Sequence, residues 1–425
     1  MKTVSLAYGR TGLAISIPEA ADVLLSQYIP GLANEAEAIR NALRQPIASA
    51  PLREKVQPGE TVVIVHSDLT RATPNDRILP VLLAELEQAG IRHQDISLLN
   101  GLGTHRPQTE VELRTLLGDG IVDNYRCLQH DAFNDDGLIP LGQTSLGNPV
   151  RINRHFLQAD RRILTGFIEP HFFAGFSGGP KAVLPALAGF ESVLSNHSWQ
   201  MIGHMQATWG VCEGNPLWEE MHEVALLTEP DFLLNVALNA DQEITAVFGG
   251  DLLEAHNSGC EFVRRQAMAA VETPYDIVIT TNSGYPLDQN LYQTVKGMSA
   301  AARIVREGGT IIMVAACEDG LPDHGLYASL LAQAGSPQTV LQLIEEAPHT
   351  RHDQWQVQIQ ATVQMHADVH VYSDGLSDEQ ISRALFTPCR DIEETVAALL
   401  QKYGANGRIC VMPEGPQTIA YISKS

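Results

Sequence analysis

Between Ile163 and Trp199 the chain brings two histidines, a glycine-rich turn and a lysine into one short run: His171, Gly175 to Gly179, Lys181 and His197. Histidine changes charge near neutral pH and serves as general acid, general base or metal ligand. A lone histidine is more often structural, and on residue type alone both readings stay open. Lys181 follows Gly178-Gly179-Pro180, where glycine permits a ligand to approach the backbone and proline suits the first turn of a helix. Such a lysine is either a clamp for phosphate or carboxylate at a helix start or a point of covalent attachment. It does not belong to a P-loop, because Pro180-Lys181-Ala182 lacks the hydroxyl that would hold magnesium. Two earlier loops carry related chemistry: Asp68-Leu69-Thr70-Arg71, and Gly103-Thr104-His105-Arg106. Alone, Asp-x-Thr-Arg is a weak signal, since Asp and Thr are common in loops and caps.

The elements that must hold these residues follow from periodicity. Thr61 to Val65, Ile96 to Leu99 and Ile163 to Ile168 are short apolar runs of the kind found in central parallel strands. Each ends in one of the polar loops, so Asp68, Arg71, His105 and His171 are expected at the carboxyl edge of one parallel sheet, where ligands bind in open α/β folds. Thr73-Pro74 predicts a capped helix to Gly90, and Thr109 with Glu112 predicts a capping box. A helix is expected from Pro180 to near Gly189. Phe232 to Leu238 and Ile244 to Phe248 read as strands joined by a turn at Asn239 to Asp241, and Glu261 to Val271 reads as helix.

A second series of strand, loop and helix begins at Tyr275. Its Ile277 to Thr280 strand precedes a helix expected over Asp288 to Glu307, closed by Gly308-Gly309. Gln289, Gln293 and Lys296 share one face of that helix, which on residue type alone is an ordinary solvated stripe. The expected fold is therefore α/β, with two domains each built on a mainly parallel sheet flanked by helices, residues 1–272 and 273–425. The 425-residue length agrees with two cores rather than one.

A formal net charge of −22 opposes binding to nucleic acid or an anionic membrane through bulk electrostatics, so the few cations matter locally. The six cysteines show no Cys-x-x-Cys pair or zinc spacing and read as reduced, structural thiols. The N-terminal residues alternate like a hairpin, with no apolar run fit for a signal peptide, and no later run suits a membrane span. A cytoplasmic protein is expected.

Glu169-Pro170-His171, Ala174-Gly175-Phe176-Ser177-Gly178-Gly179 with Lys181, and Ser195-Asn196-His197 resemble the nickel-pincer lactate racemase family of 2-hydroxy acid racemases and epimerases. The two strand-end loops match the family's Asp-x-Thr-Arg and Gly-x-His-Arg elements, and Asp288 to Lys296 is similar to its second-domain motif. The resemblance covers essentially the whole chain and is strongest between Asp68 and His197. It implies that a pyridinium-3-thioamide-5-thiocarboxylic acid mononucleotide is joined covalently to Lys181 and carries nickel, with His197 as the protein ligand. It also implies that Asp68, Leu69, Thr70 and Arg71 bind the cofactor and that His105 and His171 are the catalytic pair. Arg71, Tyr292, Gln293, Lys296 and Trp355 would contact substrate, although a core tryptophan accounts equally well for Trp355. The implied partners are a small 2-hydroxy acid, lactate or a relative, and the pincer maturation enzymes.

The chemistry implied has a physical rationale. Removing the 2-hydrogen of an ionised hydroxy acid as a proton would build a dianion, whereas removing it as hydride gives a neutral ketone beside the carboxylate. A base takes the hydroxyl proton in the same step, and hydride returning to either face yields both enantiomers. The competing readings are an NAD-dependent 2-hydroxy acid oxidoreductase, whose Gly-x-Gly-x-x-Gly turn is not found in the sequence, and a non-catalytic nickel or nucleotide binder.

Overall fold

The computed structural model describes residues 1–322, 325–404 and 406–423. Two six-stranded sheets organise it. In the first, the order is Ile244–Gly250, Phe232–Leu238, Arg161–Phe167, Val62–Ser67, Ile96–Gly101, Arg126–Gln129. Every neighbouring pair is parallel except the edge hairpin of Phe232–Leu238 with Ile244–Gly250. Val62 to His66 are all buried, as expected of a central strand covered on both faces.

The second sheet is parallel throughout, in the order Thr387–Cys389, Asp368–Tyr372, Val305–Val314, Tyr275–Thr281, Ile409–Met412, Asp22–Val23. Its last strand comes from near the N-terminus. The hairpin Lys2–Leu6 with Leu13–Ile17 also belongs on this side, because Leu6, Ile15 and Ile17 are buried with Ile277, Ile279 and Ile312. Residues 2–23 thus pack with the second layer, while the boundary near residue 272 precedes its first long strand.

Four expected elements differ in detail. Thr73 does not cap the helix Asn75–Gln88; its hydroxyl instead donates to Ser67 Oγ at 2.9 Å, tying the loop to the strand end. After Pro180 there is only the 3-10 turn Gly179–Ala182, because Pro185 could not supply an interior helix N–H; the next helix, Phe190–Asn196, starts after Gly189 instead of ending there. The helix Leu252–Ala267 gives way to a strand, Met268–Val271, which pairs with Ile419–Ile422. In the second domain Asn290 caps a helix over Leu291–Ala302, and Gly308-Gly309 lie inside the strand Val305–Val314. Gly308 has φ +67° there, where the register to Tyr275–Thr281 shifts, so this glycine pair makes a bulge.

Among the described residues, no helix is long and apolar enough to cross a membrane.

Candidate active site

Strand register brings the first three loops together. Val65 is level with both Leu99 and Leu164, so the three strands end side by side and release Asp68, Leu102 and Ile168 at one edge. The Asp68 loop is closed by Arg71 N–H donating to Asp68 O, and Thr70 Oγ1 donates to Asp68 Oδ1 at 2.8 Å. The other carboxylate oxygen, Oδ2, lies 2.6 Å from His105 Nδ1. His105 is held by its own N–H to Leu102 O, and the Arg106 pair with Glu112 anchors the far side of its loop to the capping box of the helix Glu110–Leu117.

His171 sits in a two-residue ladder, Pro170-His171 against Gly175-Phe176. Gly175 makes that reversal possible: its φ is +75° and a Cβ would meet Val211 O at 2.2 Å. Ala174 N–H donates to His171 Nδ1 at 3.2 Å. The next turn carries Lys181 and is fixed from below, where Gly179 N–H donates to Asn235 Oδ1 and His256 Nε2 reaches Ser177 O. His197 terminates the helix Phe190–Asn196, its Nδ1 3.2 Å from Val193 O. Its ring meets Phe173 and Trp355 edge-on, at centroid distances of 5.4 and 5.1 Å.

The second domain closes the other side. Tyr292, Gln293 and Lys296 come from the first turns of the helix Leu291–Ala302, and Trp355 from the start of Gln354–His366. Trp355 Nε1 donates to Tyr292 Oη at 3.0 Å, locking the two aromatics into one wall. All twelve residues singled out in the sequence line one cleft of about 530 Å³: Asp68, Leu69, Thr70, Arg71, His105, His171, Lys181, His197, Tyr292, Gln293, Lys296 and Trp355. That volume suits a small ligand with a bound cofactor.

The electrostatics follow from crowding cations where water is scarce. Burial, reinforced by Arg71 and Lys296, drives the Lys181 ammonium pKa well below its usual value and so favours the neutral amine. Burial and Arg71 lower Lys296 to about 8. Burial, then Lys181, Lys296 and Arg71, keeps His171 neutral, and burial with Lys181 pushes His197 down to about 3. Glu169 feels the opposite effect: its burial raises the carboxyl pKa although Lys296, Arg71 and Lys181 pull it down. For Asp68, burial alone would raise the value, yet His105, Arg71 and Thr70 prevail and hold it at about 2.

Two contributors escaped the sequence reading. His352 lines the cleft, with Nε2 3.3 Å from Thr104 Oγ1 across the domain gap, and Gln356 stands one turn further along the same chain. Their only signal was proximity to Trp355. Among the described residues no group of three or more His, Cys, Asp or Glu side chains could hold a metal by itself.

Comparison with known proteins agrees with this arrangement. The lactate racemase N-terminal domain family matches residues 8–210, and the lactate racemase C-terminal domain family matches residues 270–420. A lactate racemase from Thermoanaerobacterium thermosaccharolyticum is 34% identical over 426 residues, covering 99% of both chains. One from Lactiplantibacillus plantarum is 37% identical over 385 residues, covering 90% of each. The solved lactate racemase apoprotein from T. thermosaccharolyticum superimposes with a TM-score of 0.92 at 32% identity, covering 99% of this chain and 100% of that one. A protein from Thermotoga maritima shares the fold, with a TM-score of 0.73 at 19% identity over 93% of this chain and 100% of its own. Two matched domains, two full-length relatives and one cleft between the layers lead to the same place: the chain belongs to the lactate racemase family and is an isomerase of the racemase class.

Proposed function

We propose that the protein interconverts the enantiomers of lactate or a closely related 2-hydroxy acid, using a nickel-pincer nucleotide attached at Lys181. The observation that carries this reading is the convergence of Arg71, Lys181, Lys296, His105 and His171 on one cleft in a strongly acidic chain. Such a cleft draws in a small anion.

The residues present fit the cofactor. A carbonyl oxygen only accepts, so the His197 Nδ1 facing Val193 O carries hydrogen and Nε2 is left bare, the arrangement that orients a metal-binding imidazole. A single protein ligand suffices when the remaining donors come from the pincer. Lys181, whose ammonium form is disfavoured by burial and its cationic neighbours, is a competent nucleophile for attachment. Asp68, Leu69, Thr70 and Arg71 form the adjoining loop and would hold the nucleotide. When bound, the cofactor supplies a hydride acceptor for the substrate carbon.

The remaining work falls to the chain. Arg71 and Lys296 hold the substrate carboxylate, with Gln293 beside Lys296 on the same helix face. Tyr292 and Trp355 wall the cleft and exclude water. His105 and His171 exchange the hydroxyl proton on either side of the substrate. The cofactor requires the pincer maturation enzymes, and a cytoplasmic setting suits all six cysteines being free thiols.

The test is racemisation of enantiopure lactate in heavy water by protein matured with those enzymes and without added NAD. Hydrogen carried as hydride does not exchange with solvent, so the product's chiral carbon should hold almost no deuterium. Substantial deuterium there would replace this reading with carbon-acid chemistry.

A further inference from the structure

The structure assigns opposite tautomers to the two cleft histidines, with Asp68 as the positioning residue for one and the Ala174 N–H for the other. His105 Nδ1 lies 2.6 Å from Asp68 Oδ2. A carboxylate can only accept, so the hydrogen is on Nδ1, and Nε2 is bare whenever the ring is neutral. His171 is the reverse. Its Nδ1 accepts the Ala174 N–H at 3.2 Å and must be bare, so the neutral ring carries its hydrogen on Nε2. Neither Nε2 has a hydrogen-bond partner among the described residues, and both rings line the cleft.

The two histidines are therefore not interchangeable at rest. In its neutral form His105 is ready to accept a proton at Nε2, whereas neutral His171 is ready to donate a hydrogen bond there. The step given to His105 is proton transfer alone: the substrate O–H bond breaks, an N–H bond forms at Nε2, and the Asp68 carboxylate balances the imidazolium charge. The same proton returns in reverse. His171 can act as a base only by giving up the Ala174 bond, so it first serves as a donor that polarises the substrate oxygen. Access to water differs in the same sense, since His105 is exposed while His171 is buried.

Asp68 thereby takes a task beyond its place in the cofactor loop, because Thr70 and His105 already engage both its oxygens. The kinetic consequence rests on the racemase reading, whereas the tautomers do not. The experiment uses full-length protein labelled with ¹⁵N-histidine, without cofactor, at neutral pH, the two rings being assigned with His105→Gln and His171→Gln. A hydrogen-bearing Nδ1 is expected for His105 and a hydrogen-bearing Nε2 for His171; the same tautomer in both rings overturns the assignment. Asp68→Asn should shift His105 toward the other tautomer, since an amide can donate to Nδ1, and leave His171 as it was.

In matured enzyme the same substitution should lower kcat about 10²–10⁴-fold with little change in KM, the range for a general base. An equilibrium constant of one requires kcat/KM to fall equally in both directions. Asp68→Glu keeps an acceptor and should recover part of the rate and the parental tautomer; a Glu variant as impaired as the Asn variant removes Asp68 from this role. If the tautomers are opposite but matured protein racemises no 2-hydroxy acid, the racemase reading fails and the assignment stands.

Discussion

The two sheets feed one cleft by different means. The first contributes side chains from loops at the ends of three adjacent buried strands, each loop closed by its own backbone bonds, so His105, His171 and Asp68 are fixed to a stiff edge. The second contributes the opening turns of two helices, where Tyr292, Lys296 and Trp355 form a wall tied by one side-chain bond. Strand ends suit proton transfer, which tolerates little misplacement; a helix face suits binding, which needs charge and shape more than fixed angles. Substitutions in the first region should therefore remove chemistry, and those in the second should weaken binding.

The largest effect is expected at Lys181. Lys181→Ala should leave matured protein without covalent adduct by intact mass and reduce racemisation at least about 10⁴-fold, as loss of a covalent cofactor removes the chemistry itself. The fold should survive, because Lys181 lies on a short 3-10 turn outside the helices and strands that build the core. Its lowered pKa gives a second readout: in cofactor-free parent protein an amine-selective reagent at neutral pH should label Lys181 ahead of surface lysines that remain protonated. Adduct on the Ala variant, or a Lys181 slower to label than the surface lysines, would break the assignment.

A smaller, two-signed effect is expected at Lys296. Removing its proposed charge-assisted contact with a substrate carboxylate should raise KM about 10- to 100-fold, equivalent to about 1.5–3 kcal/mol, while adduct content stays constant. Stability should move the other way. The Lys296 pKa falls from 10.5 to about 8 on folding, so the folded state binds its proton less well than the unfolded chain, and that penalty is full below about pH 8 and disappears as pH rises through 10.5. Lys296→Met should thus raise the cofactor-free protein's stability at pH 7 by on the order of 1–3 kcal/mol, and the gain should vanish near pH 10.5. A stability loss at pH 7 would show that Glu169 outweighs the burial and Arg71 repulsion that lower this lysine.

Strand cores were legible because runs such as Thr61 to Val65 and Ile163 to Ile168 have one physical explanation, burial on both faces, and their polar ends followed. The shared edge for Asp68, His105 and His171 came from that pattern together with the parallel-sheet rule. Helix limits were less legible. Thr73 found a nearer partner in Ser67 than in a helix N–H, and the Gly308-Gly309 pair that looked like a helix stop serves a bulge, since local signals cannot reveal which tertiary partner wins. Roles for Lys296 and Trp355 came only with the family resemblance, because a lysine on a helix face reads as solvated until the facing domain is in place. Whether His105 and His171 differ was invisible in sequence, as it depends on one carboxylate and one backbone N–H.

The smallest expected effect lies where the two domains meet away from the cleft. Trp209 Nε1 donates to Ser299 Oγ at 3.2 Å, and Arg303 Nη1 to Thr208 Oγ1 at 3.0 Å, joining the segment after His197 to the helix that carries Lys296. Trp209 is buried at 3%, so Ser299→Ala leaves a buried indole N–H without its partner. A loss of about 1 kcal/mol in unfolding free energy is expected, read by urea denaturation of the cofactor-free protein. Neither Trp209 nor Ser299 lines the cleft. If the second domain acts mainly by presenting charge and aromatic surface, kcat in matured Ser299→Ala enzyme should stay within about two-fold of the parent, because the proposed reacting groups, His105 and His171, belong to the other sheet. A drop in kcat well beyond the stability loss would mean that this joint sets the position of the Lys296 helix during turnover, and the division between a chemical sheet and a binding sheet would give way to a single coupled machine.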